Sequence, residues 1–489
     1  MHIEVIFMGN TRTRFAPSPT GYMHIGNLRT ALYAYLIAKK DDGTFILRIE
    51  DTDQGRLVEG ATDVIYNTLR DCGLLWDEGP DIGGDYGPYV QSERMSCYLD
   101  YAKQLVDNGT AYYCFCTEEE LDARIPKKAE GGDMIRRYDG HCRNLSKEEV
   151  EAKLAAGTPF VIRQKMPKEG TTTFHDLVYG DVTVDNKELE DQILIKSDGM
   201  PTYNFANVVD DHLMGITHVV RGNEYLSSSP KYNLLYEAFG WTPPAYIHCA
   251  PVMKDEHQKL SKRNGDASYQ DLVKKGYLTE AILNYIALLG WSPKGEQEIY
   301  TLPELVKAFE LDGISKSPAI FDPEKLKHIN AEYIRALSPE DYKSHALPFI
   351  REAVHRDGLD LDVLCEVLQP RTEFFAEIPE KLGFLDTRPE IDPALYFSKK
   401  FKTDVSTAKP ALEATLPVLE ALDDFSVSSV HEALFTLIGE LNVKNGWILG
   451  PLRVAIAGVP VTPGGAVELC AVLGKEETLS RIRSALAAL

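Results

Sequence analysis

Two polar segments of the chain carry residue types that suit phosphate chemistry. The first, residues 17–27 with the sequence PSPTGYMHIGN, lies between a predicted strand and a predicted helix. Such a turn exposes backbone N–H groups and the positive end of the helix dipole, and both attract phosphate oxygens. His24 can donate to a phosphoryl oxygen, and Gly26 leaves the backbone uncovered for a nucleoside ring. An isolated H-x-G is more often a simple helix cap, so this segment needs a second observation.

The second segment, residues 259–263 with the sequence KLSKR, follows the last predicted strand of the α/β part. Its three cations can close on a triphosphate and neutralise charge as pyrophosphate leaves. Alone, such a run is usually a solvated basic loop. Both segments come at the carboxyl ends of predicted strands, where open α/β sheets bind their ligands. Together they indicate a nucleotide site.

Alternating strand and helix patterns position these two segments. Over the first hundred residues the patterns predict strands at 11–16 and 44–50 and helices at 26–40, 58–72 and 92–108. This alternation predicts a parallel α/β sheet. Short strands and turns replace the pattern from about 111 to about 195, the pattern returns until about 270, and helical periodicity follows. The order indicates one sheet interrupted by an insertion and followed by helices.

Composition limits the classes of function that the chain can have. The sequence of 489 residues holds 52 Lys and Arg against 74 Asp and Glu, a net charge of −22. That balance argues against a general nucleic-acid coat, although a local basic track on an acidic body still serves a nucleic-acid enzyme. No apolar run approaches the ~20 residues that span a bilayer, and the eight cysteines are sparse, as in reduced cytosolic proteins. We therefore expect a cytoplasmic protein without a membrane segment.

Seven ordered strings connect the two polar segments with a known family. They are RFAPSPTGYMHIGNLRTALY, FILRIEDTD, DEGP, GPYVQSER, KSDGMPTYNFANVVDDHLMGITHVVRGNEYL, ALLGWSP and FDPEKLKHIN. On these strings the chain resembles the bacterial glutamyl-tRNA synthetases of class I, whose HIGH and KMSKS signatures correspond to the two segments. That family usually starts a few residues before the first string. We therefore expect residues 1–7 to be an extension, or to precede a true start at Met8.

The resemblance implies a fold of several parts. It is an α/β Rossmann-type catalytic domain with an inserted α+β acceptor-binding domain, followed by an all-α C-terminal anticodon-binding region. We place these parts at 1–110 and 196–270 (the two catalytic halves), 111–195 (the insertion), 271–335 (a helical stem-contact domain) and 336–489 (the anticodon-binding region). The basic residues expected to meet RNA are 136–143, Arg163, Lys165 and Lys168 in the insertion, with Arg371 and Arg453 in the last region.

The resemblance also implies a reaction in two steps. L-Glutamate and ATP first form a glutamyl-adenylate, and the glutamyl group then passes to the terminal adenosine of tRNA(Glu). The family uses ATP with Mg²⁺, generally needs bound tRNA before activation, and works by positioning and charge stabilisation. We expect a monomer, and charging of tRNA(Gln) in addition is left open.

Individual site residues follow from the resemblance, position by position. The expected ATP-binding residues are His24, Gly26, Asn27, Glu224, Lys259, Ser261 and Lys262, of which His24 and Lys262 are catalytic. The expected glutamate-binding residues are Arg14, Ser18, Glu50, Tyr203, Asn207 and Arg221. Arg14 and Arg221 would hold the side-chain carboxylate, because a guanidinium pairs with a carboxylate through two hydrogen bonds. Glu50 would accept the α-ammonium group.

Three cysteines of the insertion have spacings that a zinc site could use. They are Cys114, Cys116 and Cys142, and many family members carry zinc in this region. The residue two positions after Cys142 is Asn144, a poor zinc ligand. His141 and Cys142 would point to opposite faces of an extended segment. The interpretation favoured from the sequence is therefore three reduced cysteines packed as small hydrophobic residues, with zinc as the alternative.

Three related functions stay as alternatives at this point. Glutaminyl-tRNA synthetases share the catalytic half but end in β-barrels, which the helical C-terminal pattern disfavours. A tRNA-modifying paralogue usually lacks the anticodon-binding region. An inactive RNA-binding relative would be expected to have lost the ATP signatures, whereas His24, Gly26, Lys259 and Lys262 are all present.

Overall fold

The computed structural model describes residues 10–124, 137–260, 268–387, 390, 392–399, 403–459 and 461–489. This part of the chain divides into two compact units. The first runs to Asp271 and also includes Leu283–Phe321, and the second comprises Leu272–Ile282 and Asp322–Leu489. The domain boundaries predicted from the sequence at 110, 195, 270 and 335 are not tested by this division and stay predictions.

Strands are confined to the first unit among the described residues. They are β1 (Arg12–Phe15), β2 (Thr44–Leu47), β3 (Ala111–Cys114), β4 (Val161–Gln164), β5 (Thr171–Asp176), β6 (Gly180–Asp185), β7 (Ile193–Ile195), β8 (His218–Gly222), β9 (Ala245–Cys249), β10 (Val252–Met253) and β11 (Ala319–Ile320).

Helices fill the spaces between these strands. They are α1 (Ile25–Lys40), α2 (Ala61–Asp71), α3 (Met95–Asp107), α4 (Glu118–Arg124), α5 (Lys147–Ala155), α6 (Tyr203–Leu213), α7 (Ser229–Phe239), α8 (Tyr269–Lys274), α9 (Thr279–Leu288) and α10 (Leu302–Ala308). The chain passes between the two units within α8 and α9.

A six-stranded sheet is the frame of the first unit, in the order β2-β1-β8-β9-β5-β6. The pairings from β2 to β5 are parallel, and β6 pairs antiparallel at the edge. Arg221 on β8 is in register with His248 on β9. Because parallel strands end at the same edge of a sheet, Arg14 on β1 joins these two residues towards the carboxyl edge, where ligands bind in such folds.

The segment predicted as an insertion contributes to two different sheets. β3, β4 and β7 form a separate antiparallel sheet, with β4 in the middle. The hairpin β5–β6 instead joins the six-stranded sheet, with Asp176 opposite Tyr246 of β9. The hairpin thereby brings Asp176 beside the strands that carry Arg221 and His248.

Helix α1 starts and ends where the sequence supplies the required residues. His24 is its N-cap, and the Nδ1 atom accepts a hydrogen bond of 3.0 Å from the Gly26 N–H, one of the donors that a helix start leaves unpaired. Leu28, Leu32 and Leu36 on its inner face are fully buried. After the helix, a Cβ on Gly43 would lie 2.1 Å from the Thr11 carbonyl oxygen, so this turn requires glycine.

The second unit is helical, as the sequence predicts for the C-terminal region. Its helices are α11 (Pro323–Ala336), α12 (Pro339–Ala353), α13 (Leu361–Leu368), α14 (Ile378–Asp386), α15 (Val405–Glu420), α16 (Val427–Glu440), α17 (Asn445–Ala457) and α18 (Ala466–Ala488). Gly474 interrupts α18 with φ of 76° and ψ of 166°. In the described chain, no helix is both long enough and apolar enough to cross a membrane.

Candidate active site

A cavity of about 400 Å³ lies at the carboxyl edge of the six-stranded sheet. The first turn of α1 lines it together with residues that follow β8 and β9. The predicted ATP-binding residues on its wall are His24, Gly26, Asn27, Glu224 and Lys259. A helix N-terminus, a carboxylate and a lysine on one concave surface match the phosphates and the ribose hydroxyls of a nucleotide.

His24 connects the start of α1 with the beginning of the KLSKR segment. Because its Nδ1 accepts the bond from Gly26, the ring proton lies on Nε2, which donates over 3.2 Å to the Leu260 carbonyl oxygen. His24 also pairs with Ser268 through the backbone, and the Tyr269 N–H donates to the Met23 carbonyl oxygen. Leu260 and Ser268, the described residues on either side of 261–267, are therefore both held by His24. Ser261 and Lys262 lie outside the described residues, and their roles stay predictions.

Arg221 is a buried cation whose described surroundings contain aromatic rings and neutral hydrogen-bonding groups. Its Nη2 donates to Ser229 Oγ at 3.0 Å, and its Nε donates to His248 Nε2 at 3.2 Å. Its guanidinium carbon lies 4.7 Å from the ring centre of Tyr232 and 5.3 Å from that of Tyr225. Among the described residues, no carboxylate forms an ion pair with Arg221. A buried guanidinium of this kind is suited to pair with a carboxylate that a substrate brings.

Arg14 and Glu50 belong to one buried ion network. Arg14 Nε lies 3.0 Å from Asp211 Oδ1, and Arg48 Nη1 lies 2.8 Å from the same oxygen. Arg48 Nη2 lies 2.8 Å from Glu50 Oε1. The second carboxylate oxygen of Glu50 is buried and has no hydrogen-bond partner among the described residues. Since buried polar atoms are normally paired, Oε2 is the atom that a substrate ammonium group would satisfy.

Burial and charge act in opposite directions on the two acids of this network. Burial raises the pKa of Glu50, although the guanidinium groups of Arg48 and Arg14 act to lower it. Burial also opposes ionisation of Asp211, but Arg14 and Arg48 outweigh it and hold the pKa of Asp211 below its usual range. Glu50 is therefore the acid whose charged form gains from a further cation.

Asp210 links the same network to Arg94, Gln91 and Tyr98. Its Oδ1 accepts from Arg94 Nε at 2.7 Å, and its Oδ2 accepts from Gln91 Nε2 at 2.9 Å and from the Tyr98 hydroxyl at 2.8 Å. Arg48, Asp210 and Asp211 are not among the site residues predicted from the sequence. All three stand in the strings FILRIEDTD and FANVVDDHL, where a charged residue inside an otherwise apolar element was the available signal.

The remaining predicted glutamate-binding residues differ in their placement. Tyr203 stacks near Tyr225, with ring centres 5.5 Å apart, and Asn207 is buried one turn further along α6. Burial and the nearby Glu50 carboxylate raise the pKa of Tyr203, so its hydroxyl stays protonated and can donate. Ser18 is exposed on the turn before α1. Its predicted role therefore has less structural support than those of Tyr203 and Asn207.

The three predicted zinc ligands come together in the insertion. The Sγ atoms of Cys114, Cys116 and Cys142 all lie within 4.8 Å of one another. The hydroxyl of Tyr138 lies 3.3 Å from Cys114 Sγ and 3.7 Å from Cys116 Sγ. This tyrosine was not predicted from the sequence, because only nitrogen and sulfur donors were expected as zinc ligands.

One step of the sequence argument against zinc is wrong. Residues His141–Asn144 form a turn of 3-10 helix and not an extended segment, so alternation of faces does not apply to His141 and Cys142. His141 nevertheless lies apart from the thiols, since it is exposed and its Nε2 is 3.2 Å from Arg124 Nη2.

The basic residues predicted for the insertion are partly engaged inside the protein. Arg143 Nη1 lies 2.6 Å from Asp191 Oδ2, and Arg163 donates to the Asp191 carbonyl oxygen at 3.0 Å. The Arg163 guanidinium also covers the Tyr138 ring at 3.9 Å. These two arginines therefore anchor residues 138–143, which include Cys142, to Asp191 and to β4. Arg136 lies outside the described residues.

Two family profiles match the chain. The profile of tRNA synthetases class I (E and Q), catalytic domain, matches residues 10–328, and the anticodon binding domain profile matches residues 304–486.

Individual relatives are similar over almost the whole chain. A glutamate–tRNA ligase of Clostridium botulinum is 61% identical over 472 residues, which are 96% of this chain and 97% of that protein. One of Clostridium tetani is 60% identical over 472 residues, 96% of each chain. The crystal structure of a glutamate tRNA ligase from Elizabethkingia meningosepticum, in complex with its amino acid, superposes with a TM-score of 0.87. That protein is 37% identical, and the match covers 98% of this chain and 100% of that one.

Proposed function

Because the chain belongs to the glutamate–tRNA ligase family of class I tRNA synthetases, we propose that the cavity and the adjoining ion network bind ATP and glutamate for one reaction. The chain uses ATP to join glutamate to tRNA through a glutamyl-adenylate. The roles of individual residues in that reaction are the proposal.

Glutamate recognition is supported by two complementary features of the described residues. Among them, no carboxylate pairs with the buried Arg221, and no donor reaches the buried Oε2 of Glu50, whose Oε1 pairs with Arg48. Glutamate carries the matching carboxylate and α-ammonium groups. We assign the side-chain carboxylate to Arg221, with Arg14 beside it, and the α-ammonium group to Glu50. Tyr203 and Asn207 complete the contacts on the α6 side.

ATP is assigned to the 400 Å³ cavity. The adenosine would lie on Gly26, the ribose hydroxyls would bind Glu224, and the phosphates would face His24, Asn27 and Lys259. Ser261 and Lys262 would extend this cation set to the triphosphate. Mg²⁺ would enter bound to the ATP phosphates, as it usually does, and would screen their charge.

The activation step then needs no covalent bond to the protein. An oxygen of the glutamate α-carboxylate attacks the α-phosphorus, a new P–O bond forms, and the P–O bond to pyrophosphate breaks. The lysines would stabilise the charge on the phosphates as it moves to the leaving group, and His24 would join them when its Nε2–H exchanges the Leu260 carbonyl oxygen for a phosphate oxygen. In the second step a hydroxyl of the terminal ribose of tRNA attacks the activated carbonyl, and AMP leaves.

The RNA partner and the state of the working enzyme are also part of the proposal. We assign tRNA(Glu) as the tRNA substrate, a monomer as the working form and the cytoplasm as the compartment. The match of residues 304–486 to anticodon binding domains supports contact with the tRNA. Charging of purified tRNA(Gln) beside tRNA(Glu) tests whether both are substrates.

We further infer that the insertion can hold zinc through Cys114, Cys116, Cys142 and Tyr138. Three thiols and a phenol are a four-donor set, which suits a closed structural site that links β3 to the following turn. Burial raises the pKa of the Cys116 thiol to about 12, so this thiol stays protonated when no cation is bound. Metal analysis of protein purified without chelators should find about one zinc per chain, lost in Cys116→Ser and weakened in Tyr138→Phe. Protein free of zinc would support the reduced cysteines favoured from the sequence.

Exchange of labelled pyrophosphate into ATP tests the function as a whole. We expect exchange that requires glutamate and tRNA together and that is not supported by glutamine. The amide of glutamine offers Arg221 a donor where it needs an acceptor. Equal exchange with glutamine would contradict the assignment of the carboxylate to Arg221.

A further inference from the structure

Arg221 is held from behind by a buried pair of residues that no part of the proposed reaction uses. His248 on β9 and Asp176 at the end of β5 are both fully buried. Asp176 Oδ2 lies 2.6 Å from His248 Nδ1, and His248 Nε2 lies 3.2 Å from Arg221 Nε. The rings of Tyr246 and Phe174 pack at 6.1 and 6.3 Å from the imidazole. The three residues form one line of hydrogen bonds across three strands.

The direction of each hydrogen bond in this line follows from its neighbours. Asp176 Oδ1 accepts from the backbone N–H groups of Val178 and Tyr179, and Oδ2 accepts from the His248 backbone N–H. Since both oxygens act as acceptors, the carboxylate requires a proton on His248 Nδ1. A neutral ring then has its lone pair on Nε2, and Arg221 can only donate. The carboxylate therefore fixes the tautomer that accepts from Arg221.

We propose that Asp176 and His248 are positioning residues that orient Arg221 for the side-chain carboxylate of glutamate. This inference rests on the proposed role of Arg221. Arg221 Nη2 is held at the same time by Ser229 Oγ, whose own hydrogen goes to the Tyr225 carbonyl oxygen. With Nε and Nη2 engaged, rotation of the guanidinium is blocked. Its Nη1 edge is left to meet the substrate.

The environment of His248 keeps it in the neutral form that this arrangement needs. Burial lowers the pKa of His248, and the hydrogen bond to Asp176 only partly offsets that effect. A protonated ring would place an N–H against the Arg221 N–H. Asp176 also explains why the hairpin β5–β6 joins the sheet beside β9, since one carboxylate caps the hairpin turn and orients the ring.

Two variants of His248 with the same amide group but different length distinguish orientation of Arg221 from simple packing of the imidazole. In His248→Gln the amide oxygen can take the place of Nε2 and accept from Arg221. In His248→Asn the shorter side chain can donate to Asp176 but does not reach Arg221. We expect His248→Asn to raise the KM for glutamate by roughly tenfold or more, the loss of one hydrogen bond to a charged group. His248→Gln should restore most of that loss, and the KM for ATP should stay within about twofold in both variants.

Asp176→Asn tests the tautomer directly. Its amide oxygen can keep the bonds to Val178 and Tyr179, while its NH₂ group takes the place of Oδ2, loses the bond from the His248 backbone N–H and favours the tautomer with the ring proton on Nε2. The KM for glutamate should then rise as in His248→Asn, with kcat much less affected. Thermal melting of each variant identifies any that fails to fold, and the His248 pair decides the question if Asp176→Asn does not fold.

Arg221→Ala separates failure of this inference from failure of the proposed function. A raised KM for glutamate in Arg221→Ala, with equal values in His248→Asn and His248→Gln, would overturn the positioning role and keep the role of Arg221. An unchanged KM for glutamate in Arg221→Ala would overturn both. Exchange of pyrophosphate into ATP in the presence of tRNA is the assay for all four variants.

Discussion

Replacing Glu50 by glutamine tests the proposed contact with the α-ammonium group of glutamate. In the structure, Glu50 Oε1 accepts from Arg48 Nη2 at 2.8 Å and from Nε at 3.3 Å, while Oε2 is buried and unpaired among the described residues. Arg48 can only donate, so the amide oxygen of the substituted side chain must face it. The NH₂ group then takes the place of Oε2 and meets the ammonium group donor to donor.

The size of the effect follows from the bond that is lost. A hydrogen bond to a charged group contributes about 1.5–3 kcal/mol, which corresponds to a rise of roughly 10- to 150-fold in the KM for glutamate. The α-ammonium group does not react and keeps its charge during activation, so we expect its contact with Glu50 to be similar in the ground state and the transition state. We therefore expect kcat and the KM for ATP to change little.

Pyrophosphate exchange at varied glutamate, with saturating ATP and tRNA, measures this effect. Glu78→Gln is the matched control, because Glu78 is an acid of the same unit that pairs with Arg12 at 2.9 Å and has no assigned substrate contact. The reasoning is refuted if Glu50→Gln melts at the wild-type temperature and keeps the wild-type KM for glutamate.

Three further predictions test the nucleotide site, an acid of the insertion and the backbone. In single-turnover assays, Lys262→Ala should slow adenylate formation by roughly 10²–10³-fold, as expected for the loss of one charge-stabilising donor. Lys274→Ala on α8 is the control and should leave the rate unchanged. Hydrogen bonds from Arg143 and Tyr112 outweigh burial and keep the pKa of Asp191 below its usual value. The contribution of ionised Asp191 to the free energy of unfolding is therefore complete above about pH 4 and is lost as the pH falls further. Urea unfolding at falling pH should show a smaller loss of stability in Asp191→Asn than in the wild type. Gly43→Ala should destabilise the protein by about 1–3 kcal/mol through overlap with a carbonyl, whereas Gly439→Ala, in open space on α16, should stabilise it by about 0.5–1 kcal/mol.

Local patterns of the sequence predicted the elements that carry the nucleotide site. The helix predicted at 26–40 is α1, which follows the N-cap His24, and the phosphate-facing role of its N-terminus stays a prediction. The strand predicted at 44–50 is shorter, Thr44–Leu47. Beyond Leu47 the backbone donates to Phe15, Tyr89 and Pro17 in turn, so pairing with one neighbour ends. Apolar character alone does not reveal such a change of partner.

Partners that are distant in sequence could not be predicted in the same way. Asp176 and His248 are separated by 72 positions, and nothing local to either residue indicates the other. The same holds for Arg48 and Asp211. These contacts depend on the strand order of the sheet, in which the hairpin β5–β6 lies next to β9. Resemblance to a family supplied the residues proposed to meet substrate, whereas the residues that hold them required the three-dimensional structure.

The charge balance of the site gives a physical reason for selecting glutamate over glutamine. Arg14, Arg48, Glu50 and Asp211 form a neutral set of two cations and two anions, already linked by ion pairs. Arg221 is left over as a desolvated cation. In the proposed assignment, glutamate would supply the missing anion, whereas glutamine would leave the guanidinium without an anionic partner. Because leaving a buried charge unpaired costs more than one ordinary hydrogen bond contributes, we expect the discrimination to arise mainly from the penalty on the wrong substrate.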